Sequence, residues 1–141
     1  MKWFAVKTLY RSEAHNRPEK PDLGYDPDAT SFEERILLIK ARTRSEAVVK
    51  AEREARNFAT QSGCVNPYGQ HVITRYMGYC DLVELKDHPG DKVEIFNTHR
   101  IVNRRISDRK LGRLYAGKRP RNSAQGKWRK FINRDYHPQK E

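Results

Sequence analysis

The sequence predicts a small α+β protein. It has an antiparallel sheet in the order strand, strand, helix, strand, strand, one amphipathic helix on one face, and a basic C-terminal arm. Three observations predict this. Runs rich in branched and aromatic residues recur between Pro- and Gly-containing turns. Residues 43–59 combine a helix start signal with an apolar stripe at helical spacing. The charge is divided unevenly: residues 1–99 carry 15 Lys+Arg and 15 Asp+Glu, whereas residues 100–141 carry 14 Lys+Arg and 3 acids. The whole net charge of +11 therefore lies at one end. The expected division is a compact domain over 1–103 and an arm over 104–141.

The elements follow in order. Trp3 to Tyr10 reads as a first strand, and Arg11 to Thr30, with Pro18, Pro21, Gly24 and Pro27, as a long loop. Glu33 to Arg42 is a second strand. Its Ile36-Leu37-Leu38-Ile39 run is apolar on both faces, which suits a strand covered on both sides by this chain or by a partner. Thr43-Arg44-Ser45-Glu46 fits a capping box, in which hydroxyl and carboxylate satisfy the open amides of a helix start. Ala47, Val48, Ala51, Ala55, Phe58 and Ala59 then fall on one helical face, with Glu46/Lys50 and Glu52/Arg56 as i,i+4 pairs elsewhere and Gly63 as a stop. Asn66-Pro67-Tyr68-Gly69 is a turn, and His71 to Lys86 is a third strand, bulged at Gly78. His88-Pro89-Gly90-Asp91 turns the chain into a fourth strand, Lys92 to Val102, which pairs back on Asp81–Leu85 as a hairpin.

Composition narrows the function. With 141 residues, 36% of them hydrophobic and 33% charged, the chain holds one domain with a modest core. No apolar run nears the ~18 residues of a membrane span. Met1–Lys7 lacks the apolar stretch of a signal peptide, so a cytoplasmic location is expected. Two cysteines cannot build a disulfide scaffold. Neither G-x-x-x-x-G-K nor G-x-G-x-x-G occurs, so nucleotide chemistry has no foothold.

Trp3-Phe4-x-x-Lys7, Glu34-x-Ile36-x-Leu38-Ile39-Lys40-Ala41 and Glu46-Ala47-x-x-Lys50-Ala51-Glu52 resemble a small bacterial domain family known only as a domain of unknown function. Asn66-x-Tyr68-Gly69-x-x-Val72, Asp81-Leu82-x-Glu84-Leu85 and Val93-Glu94-Ile95-Phe96 continue the likeness, which spans roughly residues 3–100. The resemblance implies a bacterial or phage cytosolic protein with a compact body. It implies no activity, and it does not extend to the arm.

Candidate chemistry in the body is sparse. Cys64 and Cys80 do not form a C-x-x-C pair, and His15, His71, His88, His99 and His137 are scattered, so no metal site and no cofactor are expected. Cys64 with His71 or His99 is the remaining nucleophile pairing, and a small incidental thiol is the simpler reading. Glu84 and Lys86 on one strand face, with Asp81 nearby, are the parts of a metal-dependent nuclease. A solvated strand face with alternating charge is the favoured reading of these residues. Glu33-Glu34 reads as a pair of gatekeepers flanking an apolar strand. The chain is therefore expected not to be an enzyme.

The arm carries the stronger signal. Arg104, Arg105, Arg109, Lys110, Arg113, Lys118, Arg119, Arg121, Lys127, Arg129 and Lys130 suit phosphate contacts, while Trp128, Phe131 and Tyr136 suit stacking on unpaired bases. Ser123 to Asn133 has the spacing of a short helix formed on binding. The expected function is that of a non-enzymatic nucleic-acid-binding accessory protein. RNA is favoured over DNA because no helix-turn-helix or zinc finger is present. The alternative is a protein-interaction module, such as a subunit, inhibitor or immunity partner, that uses Ile36, Leu37, Leu38 and Ile39 or an acidic partner of the arm. A homodimer is a further option, since the outer strands are partly apolar.

Overall fold

The computed structural model describes residues 1–97, 99 and 101–115. Its elements are β1 (Lys2–His15), β2 (Ser31–Ala41), α1 (Arg44–Gln61), β3 (Cys64–Val65), β4 (His71–Glu84) and α2 (Asp108–Tyr115). The four strands form one antiparallel sheet in the order β2-β1-β4-β3, so the α+β class holds. β1 is central, paired with β2 on one side and β4 on the other. It is longer than its Trp3–Tyr10 signal. Its polar end, Arg11 to His15, is held extended by pairing with Arg75 to His71, and the Ser12 and Thr74 hydroxyls meet at 2.8 Å.

Alternation along β1 assigns the faces. Phe4, Val6, Thr8, Tyr10 and Ser12 point toward α1 and are buried. α1 answers with Ala47, Ala51, Ala55 and Ala59, one small residue per turn, which lets the helix lie close to the sheet. Phe4, Val6, Ala41, Ala47 and Ala51 form one core cluster, with Leu37, Ile39 and Leu82 around it. Tyr10, Ala55 and Ala59 form a second with Phe58 and Tyr76. Thr43 caps α1, its Oγ1 accepting from the Glu46 amide at 3.1 Å, while the Glu46 carboxylate reaches one residue beyond the cap, where Oε2 accepts from the Arg42 amide at 2.9 Å. Both i,i+4 pairs form as well, at 3.2 and 3.8 Å.

β4 contains two bulges. Lys7 faces Asp81 while Thr8 faces Tyr79, which leaves Cys80 extra, and Leu9 faces Gly78 while Tyr10 faces Tyr76, which leaves Met77 extra. Gly78 has a φ of +121°, a conformation that side chains rarely adopt. One bulge would flip every later side chain to the other face. Two restore the alternation, so Tyr76 and Leu82 both reach the α1 side.

Two expectations are corrected. The third strand in sequence is the two-residue β3, and no strand forms over Lys92–Val102 among the described residues. Lys92 has a φ of +61°, in the left-handed region, where the fourth strand should begin. Beyond it the chain crosses the other face of the sheet, where the Phe96 ring sits 5.3 Å from the Lys7 ammonium. The loop is also shorter than expected, since β1 runs to His15. It is tied down by Glu19 N–H to the Tyr68 carbonyl at 2.7 Å and by Gln70 Nε2 to the Asn16 carbonyl at 2.9 Å.

Candidate functional site

The basic segment begins with a turn. The Arg105 amide bonds Asn103 Oδ1 at 2.9 Å, and the Ile106 amide bonds the Asn103 carbonyl at 3.1 Å. Ser107 then caps α2, accepting from the Lys110 amide at its hydroxyl and from the Leu111 amide at its carbonyl. Asp108 in the first turn and Arg113 in the last complement the helix dipole. At 100° per residue, Arg109, Lys110 and Arg113 share one side, and Leu111, Leu114 and Tyr115 the other. No α2 side chain is buried among the described residues. Arg104 and Arg105 are exposed at the preceding turn. None of these five cations enters an ion pair among the described residues, where the pairs lie between Lys2 and Glu84. The remaining arm candidates, Lys118, Arg119, Arg121, Lys127, Trp128, Arg129, Lys130, Phe131 and Tyr136, lie outside the described residues, as does the expected Ser123–Asn133 helix. α2 itself was not expected. Its signal is Ser107-Asp108 ahead of Leu111, Leu114 and Tyr115, hidden among the cations.

The second candidate surface is split by the sheet. Leu37 and Ile39 point to the α1 side and pack against the first core cluster. Ile36 and Leu38 point the other way and remain 42% and 40% exposed, with Phe32 at 53%. The run is therefore not covered on both faces among the described residues. It lies on the outermost strand, whose far edge no other strand occupies among the described residues.

The nuclease premise is not met. β4 ends at Glu84, so Lys86 is not on its strand face, and the Glu84 carboxylate meets the Lys2 ammonium at 3.0 Å. No group of three or more His, Cys, Asp or Glu could hold a metal among the described residues. Neither cysteine is in a disulfide, and partial burial pushes the Cys64 thiol up, away from the reactive thiolate.

A small polar pocket of about 180 Å³ lies where the 16–30 loop meets the Asn66–Gln70 turn, lined by Tyr25, Tyr68 and Gln70 among others. Asn66 Oδ1 accepts from the Tyr68 and Gln70 amides, and the Tyr68 hydroxyl donates to Asp22 Oδ1 at 2.7 Å. Burial and this hydrogen bond push the Tyr68 phenol up to about 12, which keeps it a neutral donor. Tyr76 is raised in the same way, by burial and by its bond to Glu52. These tyrosines tie elements together.

The described residues thus form a single-sheet α+β domain with a charge-neutral body and a cationic helix beyond it. The chain belongs to DUF4288, a domain of unknown function, whose family model matches residues 3–97. That match covers the sheet and α1 and ends before the basic segment. Among curated proteins and among solved structures, none matches. No helix among the described residues is long and apolar enough to cross a membrane.

Proposed function

We propose that this is a non-enzymatic nucleic-acid-binding accessory protein that engages single-stranded RNA through the segment beginning at Arg104. One observation carries the reading. Arg104, Arg105, Arg109, Lys110 and Arg113 are exposed and stand apart from the ion pairs of the body, and three of them share one side of α2. Such cations neutralise phosphates and release counterions, which gives affinity without sequence preference. Arg contributes forked donors and a plane that stacks on bases. Exposed Tyr115, together with Trp128, Phe131 and Tyr136 further along, supplies the aromatic faces that favour unpaired bases over a duplex.

The test is binding of the full chain to a labelled single-stranded RNA, read by fluorescence anisotropy across a salt series. If six to ten phosphates are engaged, the single-strand slope makes affinity fall roughly 300- to 15,000-fold between about 50 and 200 mM salt. Reversing three charges together (Arg109→Glu, Lys110→Glu and Arg113→Glu) should flatten the logarithmic salt slope by about 2 on the single-strand scale. An unchanged slope and affinity would remove α2 from the interface. Tighter binding to a duplex of equal length would replace RNA single strands with DNA or structured RNA.

A further inference from the structure

We propose that the protein is a homodimer in which the β2 edges of two copies pair antiparallel about a two-fold axis at Leu37. β2 runs eleven residues with regular pairing to β1, and it contains no Pro, no Gly and no bulge. Natural edges of this length are normally shortened, bulged or covered, because their open amides and carbonyls invite another strand.

The backbone orientation settles which groups are open. The Trp3 carbonyl of β1 accepts from the Leu85 amide at 2.9 Å, so it points to the β4 side. Backbone direction alternates along an antiparallel strand. Phe4, Val6 and Thr8 therefore turn to β2, where they meet Ile39, Leu37 and Arg35. Glu34, Ile36, Leu38 and Lys40 turn their N–H and C=O groups to the outer edge, which is unpaired among the described residues. The Lys40 carbonyl agrees with this, since it meets the Lys50 ammonium at 2.8 Å instead of a strand.

Those four residues also share the sheet face turned away from α1, and their order is self-complementary. With the axis at Leu37, Glu34 lies opposite the second copy's Lys40, Ile36 opposite Leu38, Leu38 opposite Ile36, and Lys40 opposite Glu34. Each opposed pair is a favourable one, charge on charge and apolar on apolar. Moving the axis to Ile36 sets Glu34 against Leu38, and moving it to Leu38 sets Ile36 against Lys40. Both alternatives lose the match. Glu34 bonds Lys7 through one oxygen, at 3.4 Å, and its side chain is 50% exposed, so a second cation can approach. The Lys50 contact with the Lys40 carbonyl gives way at the ends of the new ladder. The product is one continuous sheet of eight strands, twice the sheet of one chain. It covers Ile36 and Leu38 along the join and brings two basic segments into one particle. The inference stands independently of what those segments bind.

The charge pattern supplies its own test. The full chain, under reducing conditions because Cys80 is exposed, is measured by sedimentation equilibrium over a dilution series. The wild type should run at twice its 16.6 kDa mass and dissociate on dilution. Glu34→Lys alone puts Lys opposite Lys, and Lys40→Glu alone puts Glu opposite Glu, so each variant should run as a monomer. Mixing the two variants restores both charge pairs and should return the dimer mass, as should the double variant in one chain. Recovery on mixing also shows that neither variant fails through misfolding. A monomeric wild type overturns the proposal. So do single variants that remain dimeric, or a mixture that stays monomeric, since each places any association elsewhere or in another register.

Discussion

The two helices among the described residues form for opposite reasons. α1 presents Ala47, Ala51, Ala55 and Ala59 to the sheet and buries all four. α2 has Leu111, Leu114 and Tyr115 on one side and buries nothing among the described residues. An isolated helix of eight residues is marginal in water, because nucleation is costly and packing supplies most helical stability. α1 belongs to the fold, and α2 rests on its Ser107 cap and a complementary charge at each end. The family model covers α1 and ends at residue 97, before α2.

The largest test of this contrast removes one apolar side chain from each region. Phe4 is fully buried beneath α1. Phe4→Ala should cost about 3–5 kcal/mol in urea unfolding, the usual range for emptying an aromatic core site. Leu114 is 58% exposed. Leu114→Ala should change stability by less than about 0.5 kcal/mol, as exposed substitutions do. Comparable losses would mean that α2 is packed into the fold, and the division of labour would collapse.

What the sequence revealed, and what it concealed, follows the same physics. The Thr43 cap, the alanine stripe, the Asn66–Gly69 turn and a bulge at Gly78 are local signals, and each is where it was expected. The far end of β1 was concealed because Ser12, Glu13 and Ala14 have little strand preference. Their extension comes from β4, some sixty residues away. Residues 92–102 failed in the opposite sense. Val93-Glu94-Ile95-Phe96 alternates like a strand, yet Lys92 turns the chain so that Phe96 packs over Lys7. Ile36 to Ile39 looked doubly apolar because four large residues in a row conceal an alternation that only the sheet reveals. Of the eleven cations expected to contact phosphate, five fall within the described residues, and sequence alone showed their number without the arrangement of three of them on α2.

A smaller test compares the two caps. Thr43→Ala removes the acceptor for the Glu46 amide and should cost about 1 kcal/mol of global stability, the common value for losing an N-cap. Ser107→Ala removes the equivalent bond to the Lys110 amide. If α2 is locally held, that change should leave the unfolding midpoint in place while amide exchange at residues 110–115 speeds up. A shift in both readouts would join α2 to the cooperative unit.

The smallest effect is one of pH, and it sharpens the account of why α1 begins where it does. The Glu46 carboxylate is held below its ordinary value of 4.5, first by the Arg42 amide and then by the hydrogen bond from Lys50. A carboxyl lowered in the folded state binds its proton less readily there than in the unfolded chain. Its contribution is therefore fully present above about pH 4.5 and is lost as pH falls through the lowered folded value. Glu46→Gln keeps an acceptor oxygen for the Arg42 amide but has no charge to titrate. The midpoint difference between wild type and Glu46→Gln should be constant near neutrality, shrink below pH 4.5 and vanish in stronger acid. A difference that persists in acid would assign the α1 start to side-chain geometry. One that vanishes assigns it to the carboxylate charge held between the Arg42 amide and Lys50, a device that α2, with Lys110 at the matching position, does not have.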